Sequence, residues 1–543
     1  MKKALVLFTR IFLIIALLIG SYAWLTGMMD SLFTYRSPLK NNPPLSGESI
    51  GAPLARKVVF VVVDALRLDT SLNPEVMPNL NRLRQIGASA SMHSQPPSFS
   101  QPGYATLLTG AWPDINDSPV INVDFEDLYS FTQDDIFSSA HRTGYKTAFS
   151  AFNWFEKLIP VEVVDITFST PLEDQWSDRQ VVDAALPWLS SDGYQLILIH
   201  LDQVDYAGHH EGGPRDPRWD AAAKRADGLL GEILETMDLN NDAIMVVSDH
   251  GQIDRGGHGG QDAIVLLEPF VLAGQGVIPG QYEDVNMVDV APTLAALLGA
   301  GLPASSQGHP LTKMLEVDPQ QVERIDLLDH QQKTQLVAHY RQSVLPDNSS
   351  LASIDAIRQL RLSSERLPRA LLAVFLFCLP LLYFIWSRSR TTLWMACSAL
   401  IYTFLFHVRF ILVDGRAYSL SSLEGINQTI MYFSVTTLAS FLVASIVFFS
   451  FNRQFLKSPR QAALFILDLS LFFIFLLAIP VLYSYFWNGW QAVWTLPEFN
   501  SAMLAFINSL QIIFVGSGGL LLSGITALAV FIHSKLTANA IIL

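Results

Sequence analysis

The 543-residue sequence contains few charged residues and only two cysteines. Aspartate, glutamate, lysine and arginine together make up 15% of the chain, whereas 50% of the residues are hydrophobic. This composition excludes an ordinary soluble protein, and the length exceeds that of one domain. Both cysteines, Cys378 and Cys397, fall in long apolar runs. The polar part of the chain therefore has no disulfide, no thiolate metal ligand and no cysteine nucleophile.

Basic residues are scarce as well. Lysine and arginine number 35 against 49 aspartate and glutamate residues, which gives a net charge of −14. A protein that binds nucleic acid needs a basic surface to neutralise the phosphate backbone, so nucleic acid is not an expected partner. Nearly all of the acidic residues lie in a stretch of ordinary globular composition between the apolar runs.

Six predominantly apolar runs are long enough to cross about 30 Å of bilayer hydrocarbon. One lies near the N-terminus and five follow residue 369. The runs cover residues 11–29, 370–386, 391–413, 429–451, 462–487 and 503–531. No convincing small-x-small cleavage site follows the first run, which indicates an uncleaved anchor. The sequence thus predicts a multi-pass integral membrane protein with the lipid bilayer as a partner.

The charges between the runs orient the predicted spans. With a cytoplasmic N-terminus, the loops 414–428 and 488–502 lie outside and carry only Arg416 as a basic residue. The basic residues of the N-terminus, of the two other short loops between the later spans and of the C-terminal tail then lie inside, as expected from the excess of lysine and arginine in cytoplasmic loops. They are Lys2, Lys3, Arg10, Arg388, Arg390, Arg453, Lys457, Arg460 and Lys535. The globular region is therefore expected outside the cytoplasm, in a periplasm or at a cell surface.

The chain divides into four predicted regions. They are an N-terminal membrane anchor at 1–36, a globular domain at 50–310, a helical stalk or linker at 311–369 and a five-span membrane domain at 370–543. In the globular region, unbroken β-branched runs at 57–64, 195–202 and 243–249 are typical of strands covered on both faces. They alternate with helical stretches such as 77–86 and 217–237. The pattern predicts an α/β fold, with a mostly parallel central sheet flanked by helices.

Each of these three runs ends in an aspartate, namely Asp64, Asp202 or Asp249. The carboxyl ends of parallel strands meet at one edge of a sheet, where ligand sites form. Convergent carboxylates repel one another unless a cation lies among them. A single aspartate at such a position is often only a helix cap, but three at one edge favour a metal site.

Histidines follow two of the same strands. Asp205 and His209 come after the second, and His250 and His258 come after the third, with glycines beside the histidines. Carboxylate and imidazole ligands without thiolate suit zinc or another borderline divalent metal. Their number is sufficient for two ions.

A hydroxyl nucleophile is expected in the segment 96–110. Free N–H groups and the dipole at a helix start favour a phosphate oxygen, and Pro102 is well placed as the first helical residue. Ser100 would then lie just before the helix. Spacing alone leaves Ser98, Ser100 and Thr106 open.

Four motifs, in this order, resemble those of the alkaline phosphatase superfamily. They are Val-Val-Asp-Ala-Leu-Arg at 62–67, Ser-Gln-Pro-Gly-Tyr-Ala-Thr-Leu-Leu-Thr-Gly at 100–110, Asp-x-x-Gly-His at 205–209, and Ser-Asp-His-Gly at 248–251 with His-Gly at 258–259. The likeness spans about 57–300. It is greatest to two branches, the type I phosphodiesterase/nucleotide pyrophosphatases and the glycosylphosphatidylinositol ethanolamine phosphate transferases.

The resemblance implies a set of site residues. One divalent metal ion, expected to be zinc, would be held by Asp205, His209 and His258. A second would be held by Asp64, Asp249 and His250. Ser100 falls at the position of the nucleophile and would also contact the second ion. Asn122 matches, across a one-residue gap, an asparagine that stabilises the transferring phosphoryl group.

The resemblance also implies a substrate class. A sulfatase is disfavoured because Ser100-Gln-Pro-Gly lacks the arginine of the Cys/Ser-x-Pro-x-Arg motif. The absence of lysine and arginine close to Ser100 favours a diester over a monoester. The implied activity is hydrolysis or transfer on a phosphodiester or phospholipid, as in ethanolamine phosphate transfer to a glycolipid or glycan. A nucleotide pyrophosphatase-type hydrolase and an inactive ligand-binding membrane protein are the alternatives.

Several polar residues interrupt the apolar runs. His407, Arg409, Asn508 and Gln511 lie at similar depths toward the outer side of the predicted membrane domain, and together they suggest a groove for a lipid headgroup. For Arg409 alone, an arginine whose side chain reaches the headgroup layer is the favoured interpretation. Asp468 has no partner that the sequence identifies.

Overall fold

The computed structural model describes residues 2–345, 352–386, 390–423, 425–452 and 456–542. Arg388 and Arg453, two residues of the loop-charge prediction, lie outside these ranges. The chain forms two compact units. We call Leu32–Arg361 with Val493–Leu496 the globular unit. The apolar unit comprises Met1–Ser31, Leu362–Ala492 and Pro497–Leu543.

A nine-stranded sheet forms the centre of the globular unit, with the strand order β4-β3-β5-β1-β6-β7-β2-β8 and β9 beside β2. The first five strands in that order run parallel, and β7 is antiparallel to both of its neighbours. The strands are β1 (Lys57–Val63), β2 (Ala88–His93), β3 (Thr147–Phe152), β4 (Ile166–Thr170), β5 (Leu196–Leu201), β6 (Asp242–Val247), β7 (Leu267–Gly274), β8 (Gly280–Gln281) and β9 (Val285–Asn286).

The helices of the whole chain fall into a globular series and an apolar series. The helices from β1 onward in the globular unit are α2 (Leu68–Ser71), α3 (Pro78–Ile86), α4 (Ser100–Thr109), α5 (Pro113–Asn116), α6 (Ile136–Arg142), α7 (Phe155–Leu158), α8 (Gln175–Leu189), α9 (Gln203–His210), α10 (Pro217–Thr236), α11 (Val290–Leu298) and α12 (Pro319–Val344). The remaining helices are α1 (Lys2–Phe33), α13 (Ile354–Trp386), α14 (Arg390–His407), α15 (Ile426–Phe451), α16 (Pro459–Asn488) and α17 (Phe499–Ile542).

Strand β1 shows why the apolar runs form a covered sheet. All seven of its residues are buried. Because successive side chains of a strand point to opposite faces, Val58, Phe60 and Val62 pack with α4, α6 and α11, whereas the alternate residues pack with α3, α8 and α10. Burying one such valine contributes about 1.5–3 kcal/mol. The predicted α/β fold with flanking helices is confirmed, as a mixed sheet.

The register of the three central strands brings their carboxyl ends to one edge. Val63 of β1 lies opposite Leu201 of β5, and Val62 lies opposite Val247 of β6. The residues that follow these strands, Asp64, Asp202 and Asp249, therefore emerge side by side.

Helix α12 lies inside the predicted stalk, 311–369. It packs within the globular unit, where Ile325, Leu336 and Tyr340 are buried. Gln332 Nε2 donates to the carbonyl oxygen of Ala304 at 2.6 Å. The four predicted region boundaries remain predictions.

Five helices of the described chain are long and apolar enough to span a membrane, so the chain is a multi-pass membrane protein. They are Leu5–Phe33, Thr391–Val413, Ile426–Phe451, Pro459–Asn488 and Phe499–Thr537. The remaining predicted span, 370–386, forms the end of α13 and is not among the five. It remains a prediction.

Within the apolar unit, Asp468 on α16 has a partner after all. Arg10 on α1 makes two hydrogen bonds to its carboxylate, one of them from Nη2 to Oδ2 at 3.2 Å. The two residues are 458 positions apart, which is why no sequence spacing indicated the pair.

The four residues of the predicted headgroup groove contact different partners. Tyr418 Oη lies 2.8 Å from His407 Nε2, and Arg409 Nε donates to Asp414 Oδ2 at 3.0 Å. Gln511 accepts from Tyr402 Oη at 2.6 Å, and Asn508 donates to the Leu504 carbonyl oxygen at 2.8 Å. These contacts do not join the four residues into one site, and the groove remains a prediction.

Candidate metal centre and nucleophile

Asp64, Asp249 and His250 lie together at the carboxyl edge of the sheet, and we call them the Asp64 group. One ligand atom of each lies within 4.8 Å of the other two. His250 Nε2 is 3.2 Å from Asp249 Oδ2 and 3.6 Å from Asp64 Oδ1. All three residues are at most 1% exposed. The strand ends at 63 and 247 fix these positions, because each residue follows a fully buried strand by three positions or fewer.

Asp205, His209 and His258 form a second cluster, the Asp205 group. Asp205 and His209 lie one turn apart on α9, with His209 Nε2 3.4 Å from Asp205 Oδ2. The Nε2 atoms of His209 and His258 are 2.9 Å apart, and His258 Nε2 is 3.7 Å from Asp205 Oδ1. The side chain of His209 is 43% exposed, so this group is open to solvent.

The two groups adjoin one another. The rings of His250 and His258 stack with their centroids 3.9 Å apart. A ligand atom of His250 also lies within 4.8 Å of ligand atoms of Asp205 and His258. The structure thus brings all six residues of the implied ligand set to one place.

Backbone contacts orient two of the histidines. His250 Nδ1 lies 3.1 Å from the carbonyl oxygen of Gly251, and His258 Nδ1 lies 3.0 Å from that of Ser98. A carbonyl oxygen can only accept, so each Nδ1 carries the hydrogen and donates it. Both Nε2 atoms are then left as free lone pairs that face the carboxylates, as a metal site requires.

The buried carboxylates are only partly compensated within the chain. Asp64 Oδ1 and Asp249 Oδ2 have no hydrogen-bond partner among the described residues. Burial and the neighbouring Asp249 raise the pKa of Asp64 to about 7, and burial raises the pKa of Asp249 to about 8. Burial lowers the pKa of His258 well below its usual value, which keeps the imidazole neutral. Unpartnered carboxylate oxygens beside neutral imidazoles fit a divalent cation.

Asp205 differs from the other two carboxylates. Although burial opposes its ionisation, His209, His258 and His250 outweigh this effect and hold its pKa at about 2. The oxygen and nitrogen donors of both groups, without sulfur, suit zinc.

Ser100 is the first residue of α4, and its Oγ lies 3.2 Å from His250 Nε2. The other two hydroxyls left open by the sequence have other partners. Ser98 Oγ donates to the Gly260 carbonyl oxygen at 2.8 Å, and Thr106 Oγ1 donates to that of Pro102 at 2.8 Å. Of these three, Ser100 alone lies against the Asp64 group.

Helix α4 begins two residues earlier than predicted. Pro102 is its third residue. The missing N–H costs no hydrogen bond there, because the N–H groups of the first turn have no partner within the helix. Gly103, the next residue, lets the helix approach the metal centre closely. A Cβ atom there would lie 3.0 Å from the Cβ of Asp249.

Asn122 lies beside the same helix start. Its Oδ1 accepts a hydrogen bond from the Gln101 backbone N–H at 3.0 Å. This contact fixes the amide orientation and leaves the Nδ2 hydrogens available to another acceptor.

The structure adds residues that the sequence reasoning missed. His200 Nε2 lies 3.1 Å from Asp64 Oδ2, and the Tyr104 hydroxyl donates to the same oxygen. Two features of the sequence could have indicated these residues. His200 is the one histidine in the β5 run, and Tyr104 lies one helical turn after Ser100. Asp202, which the sequence already placed at this edge, forms a third set with Asp64 and Asp205, whose ligand atoms also lie within 4.8 Å of one another.

Residues 58–295 match the family model for "Type I phosphodiesterase / nucleotide pyrophosphatase". The chain is 26% identical over 345 residues to GPI ethanolamine phosphate transferase 2 of Kluyveromyces lactis, covering 57% of this chain and 43% of that protein. It is 28% identical over 305 residues to the human GPI ethanolamine phosphate transferase 2 catalytic subunit, covering 51% of this chain and 30% of that protein. The chain therefore spans less than half the length of these relatives.

Among solved structures, human ectonucleotide pyrophosphatase/phosphodiesterase 5 is similar to 48% of this chain and is itself covered fully. The sequence identity is 16% and the TM-score is 0.41.

Proposed function

Because residues 58–295 form a domain of the alkaline phosphatase superfamily, we propose that the protein is a membrane-embedded phosphodiesterase or phosphotransferase with Ser100 as its nucleophile. The observation that carries this proposal is the position of the Ser100 hydroxyl, 3.2 Å from His250 Nε2 at the start of α4. A serine at a helix start is usually a cap, but here Phe99 occupies the N-cap position and the hydroxyl of Ser100, the first helical residue, faces His250.

Two divalent ions, which we propose to be zinc, would be held by the Asp64 group and the Asp205 group. Ser100 would add its oxygen to the first of these. When bound, the ions would supply Lewis acidity that lowers the pKa of the Ser100 hydroxyl and stabilises charge on the phosphoryl oxygens.

The chain's own residues account for the remaining steps. Ser100 Oγ gives its proton to water and attacks phosphorus in line, so that the Oγ–P bond forms while the bond to the leaving alkoxide breaks and the alkoxide takes up a proton from water. Asn122, held by the Gln101 N–H, donates from Nδ2 to a phosphoryl oxygen. The phosphoserine is then attacked by water or by an acceptor alcohol, which releases Ser100. Attack by water gives hydrolysis, whereas attack by an alcohol gives transfer.

We propose a phosphodiester as the substrate. Segment 96–110, which carries Ser100, contains no lysine or arginine to bind the extra charge of a monoester. The names of the relatives, GPI ethanolamine phosphate transferases, support transfer of ethanolamine phosphate from a phospholipid to a glycolipid or glycan. Hydrolysis of the nucleotide pyrophosphatase type is the second candidate, supported by the name of the matching family.

The test uses the full chain in detergent with an aryl phosphodiester, with and without zinc. We expect zinc-dependent turnover that Ser100→Ala abolishes and that Ser190→Ala retains, since Ser190 is exposed at the end of α8. Absence of turnover in the wild type with every diester tried would favour the inactive ligand-binding alternative. Labelled phospholipid, supplied with or without an alcohol acceptor, then separates transfer from hydrolysis by the product formed.

We also propose that the globular unit lies outside the cytoplasm. The support is the distribution of basic residues, with Lys457, Arg460 and Lys535 on one side of the predicted spans and Arg416 on the other. Single cysteines at the exposed positions Lys224 and Lys457 test this in a background without Cys378 and Cys397. An impermeant thiol reagent on intact cells should label Lys224→Cys and spare Lys457→Cys. The reverse pattern would place the globular unit inside.

A further inference from the structure

Gln252 lies three residues after Asp249, in the loop that follows β6, and is completely buried. Burial of an amide is costly unless its donors and acceptor find partners. This side chain belongs to neither metal group, and its contacts are therefore informative.

The two ends of the Gln252 amide contact two different segments of the Asp205 group. Nε2 donates to Asp205 Oδ1 at 2.6 Å. Oε1 accepts from the backbone N–H of Gly257, the residue before His258, at 3.1 Å. One side chain thus links the ligand on α9 to the loop that carries the third ligand.

Packing holds the amide in this position. A Cβ atom at Gly208 on α9 would lie 1.9 Å from Gln252 Oε1, so only glycine fits there. Gly256 has φ +87°, and a Cβ atom on it would lie 2.1 Å from the Gly208 carbonyl oxygen. The missing side chains of Gly208 and Gly256 therefore leave the space that the Gln252 amide and the neighbouring backbone occupy.

We propose that Gln252 is a positioning residue of the metal centre: it holds the Asp205 carboxylate and the His258 loop at the separation that the Asp205 group needs to bind its cation. This assignment rests on the proposed function. The amide is suited to the task because it donates to a carboxylate at one end and accepts from a backbone N–H at the other, without adding charge. Partners of metal ligands of this kind are worth about 10- to 100-fold in metal affinity.

The first experiment measures zinc binding by competition with a chromophoric chelator, on the full chain in detergent. We expect wild type to bind two equivalents. Gln252→Met, which keeps the volume and removes both hydrogen bonds, should weaken one equivalent about 10- to 100-fold and leave the other unchanged. Gln332→Met is the matched control, since Gln332 is a buried glutamine of the same unit that donates to Ala304 and Ser306. It should leave both affinities unchanged.

A background variant identifies which group is affected. His209→Ala removes a ligand of the Asp205 group. In that background, Gln252→Met should have no further effect on the remaining equivalent. A further loss there would show that Gln252 acts on the fold or on the Asp64 group, and would overturn the assignment.

A second pair of variants tests the same contact from the α9 side and does not depend on the folding of Gln252→Met. Gly208→Ala collides with Gln252, whereas Gly208→Ala combined with Gln252→Ala removes the obstacle. The double variant should regain the Tm lost in the single variant, yet keep the weakened zinc equivalent. Recovery of full zinc affinity in the double variant would overturn the proposal.

The outcomes distinguish a failure of the proposed function from a failure of the role assigned to Gln252. A wild-type protein that binds no zinc overturns the proposed function and this assignment with it. Two unchanged equivalents in Gln252→Met, or equal loss of both with a lowered Tm, overturn the role of Gln252 alone.

Discussion

The two units bury carboxylates in opposite ways. In the apolar unit, Asp468 is paired with Arg10, a cation that the chain itself supplies. In the globular unit, Asp64 and Asp249 are each 1% exposed, and one oxygen of each has no hydrogen-bond partner among the described residues. A buried charge is tolerated only when it is compensated. The first unit therefore encodes its counter-charge, whereas the second leaves these two oxygens without a partner from the described chain, as the proposed metal centre requires.

This difference assigns different roles to the same residue type. A carboxylate with a fixed partner contributes to structure, and its removal exposes the partner as a buried unpaired charge. A carboxylate with no internal partner lowers the stability of the metal-free protein and gains its compensation only on binding. Substitutions that remove the charge but keep the shape should thus have opposite consequences in the two units.

The largest expected effect is on activity. Asp249→Asn removes a ligand of the Asp64 group and should lower zinc-dependent turnover by about 10⁴-fold or more, as with loss of a residue that acts as part of a catalytic unit. Steady-state hydrolysis of an aryl phosphodiester measures it. Asp192→Asn is the control, because the Asp192 side chain is 73% exposed and pairs with Arg56. Retention of activity in Asp249→Asn would remove this residue from the site.

The next effect is on the stability of the apolar unit. Arg10→Leu leaves the half-buried Asp468 carboxylate without its cation, which costs about 1–3 kcal/mol. We expect a lowered Tm in detergent, followed by tryptophan fluorescence. Arg10→Leu with Asp468→Leu should recover most of the loss, because neither charge remains. A double variant as unstable as the single one would show that the pair does not stabilise the unit through charge.

A smaller effect is expected on the Tm of the zinc-free protein, and its sign should differ between the two units. In zinc-free protein, Asp249→Asn should raise Tm, because it removes a carboxyl group whose ionisation is opposed by burial. Asp468→Asn should lower Tm, because it leaves Arg10 without its carboxylate. Each of these two aspartate-to-asparagine substitutions thus serves as the control for the other. Destabilisation by both substitutions would mean that Asp249 has internal compensation after all.

The sequence predicts the parts of the site that depend on local pattern. The β-branched runs locate β1, β5 and β6 to within one or two residues, and the strand-end rule places Asp64, Asp202 and Asp249 at one edge. The six residues of the two metal groups come together where the resemblance implied, although their role as ligands remains a prediction. The alkaline phosphatase-like placement of the domain is confirmed by the family match.

What the sequence could not predict depends on tertiary contacts. The direction of the Ser100 hydroxyl is decided by packing of α4 against the 249–251 loop, which no spacing encodes. Gln252 looks like an ordinary loop residue until its contact with Asp205, 47 positions away, is seen. The Arg10–Asp468 pair joins the two ends of the chain, and hydropathy patterns report only that each residue is polar.

The last prediction concerns pH and zinc. The pKa values of Asp64 and Asp249 are raised to about 7 and about 8, so between pH about 4 and about 8 the folded state binds more protons than the unfolded one. The unfolding free energy of the zinc-free protein should therefore fall as pH rises through this window. Zinc binds the deprotonated carboxylates, so its stabilisation should grow over the same range.

Thermal unfolding of the full chain from pH about 5 to about 8, with excess zinc or with chelator, measures both slopes. The gap in Tm between the two conditions should widen by several degrees toward high pH. Asp249→Asn should flatten the slope of the chelated protein, because one of the two titrating carboxyls is gone. A gap that narrows as pH rises would mean that protons and zinc do not compete for these carboxylates. The contrast between a carboxylate compensated from within the chain and one compensated from solution would then fail.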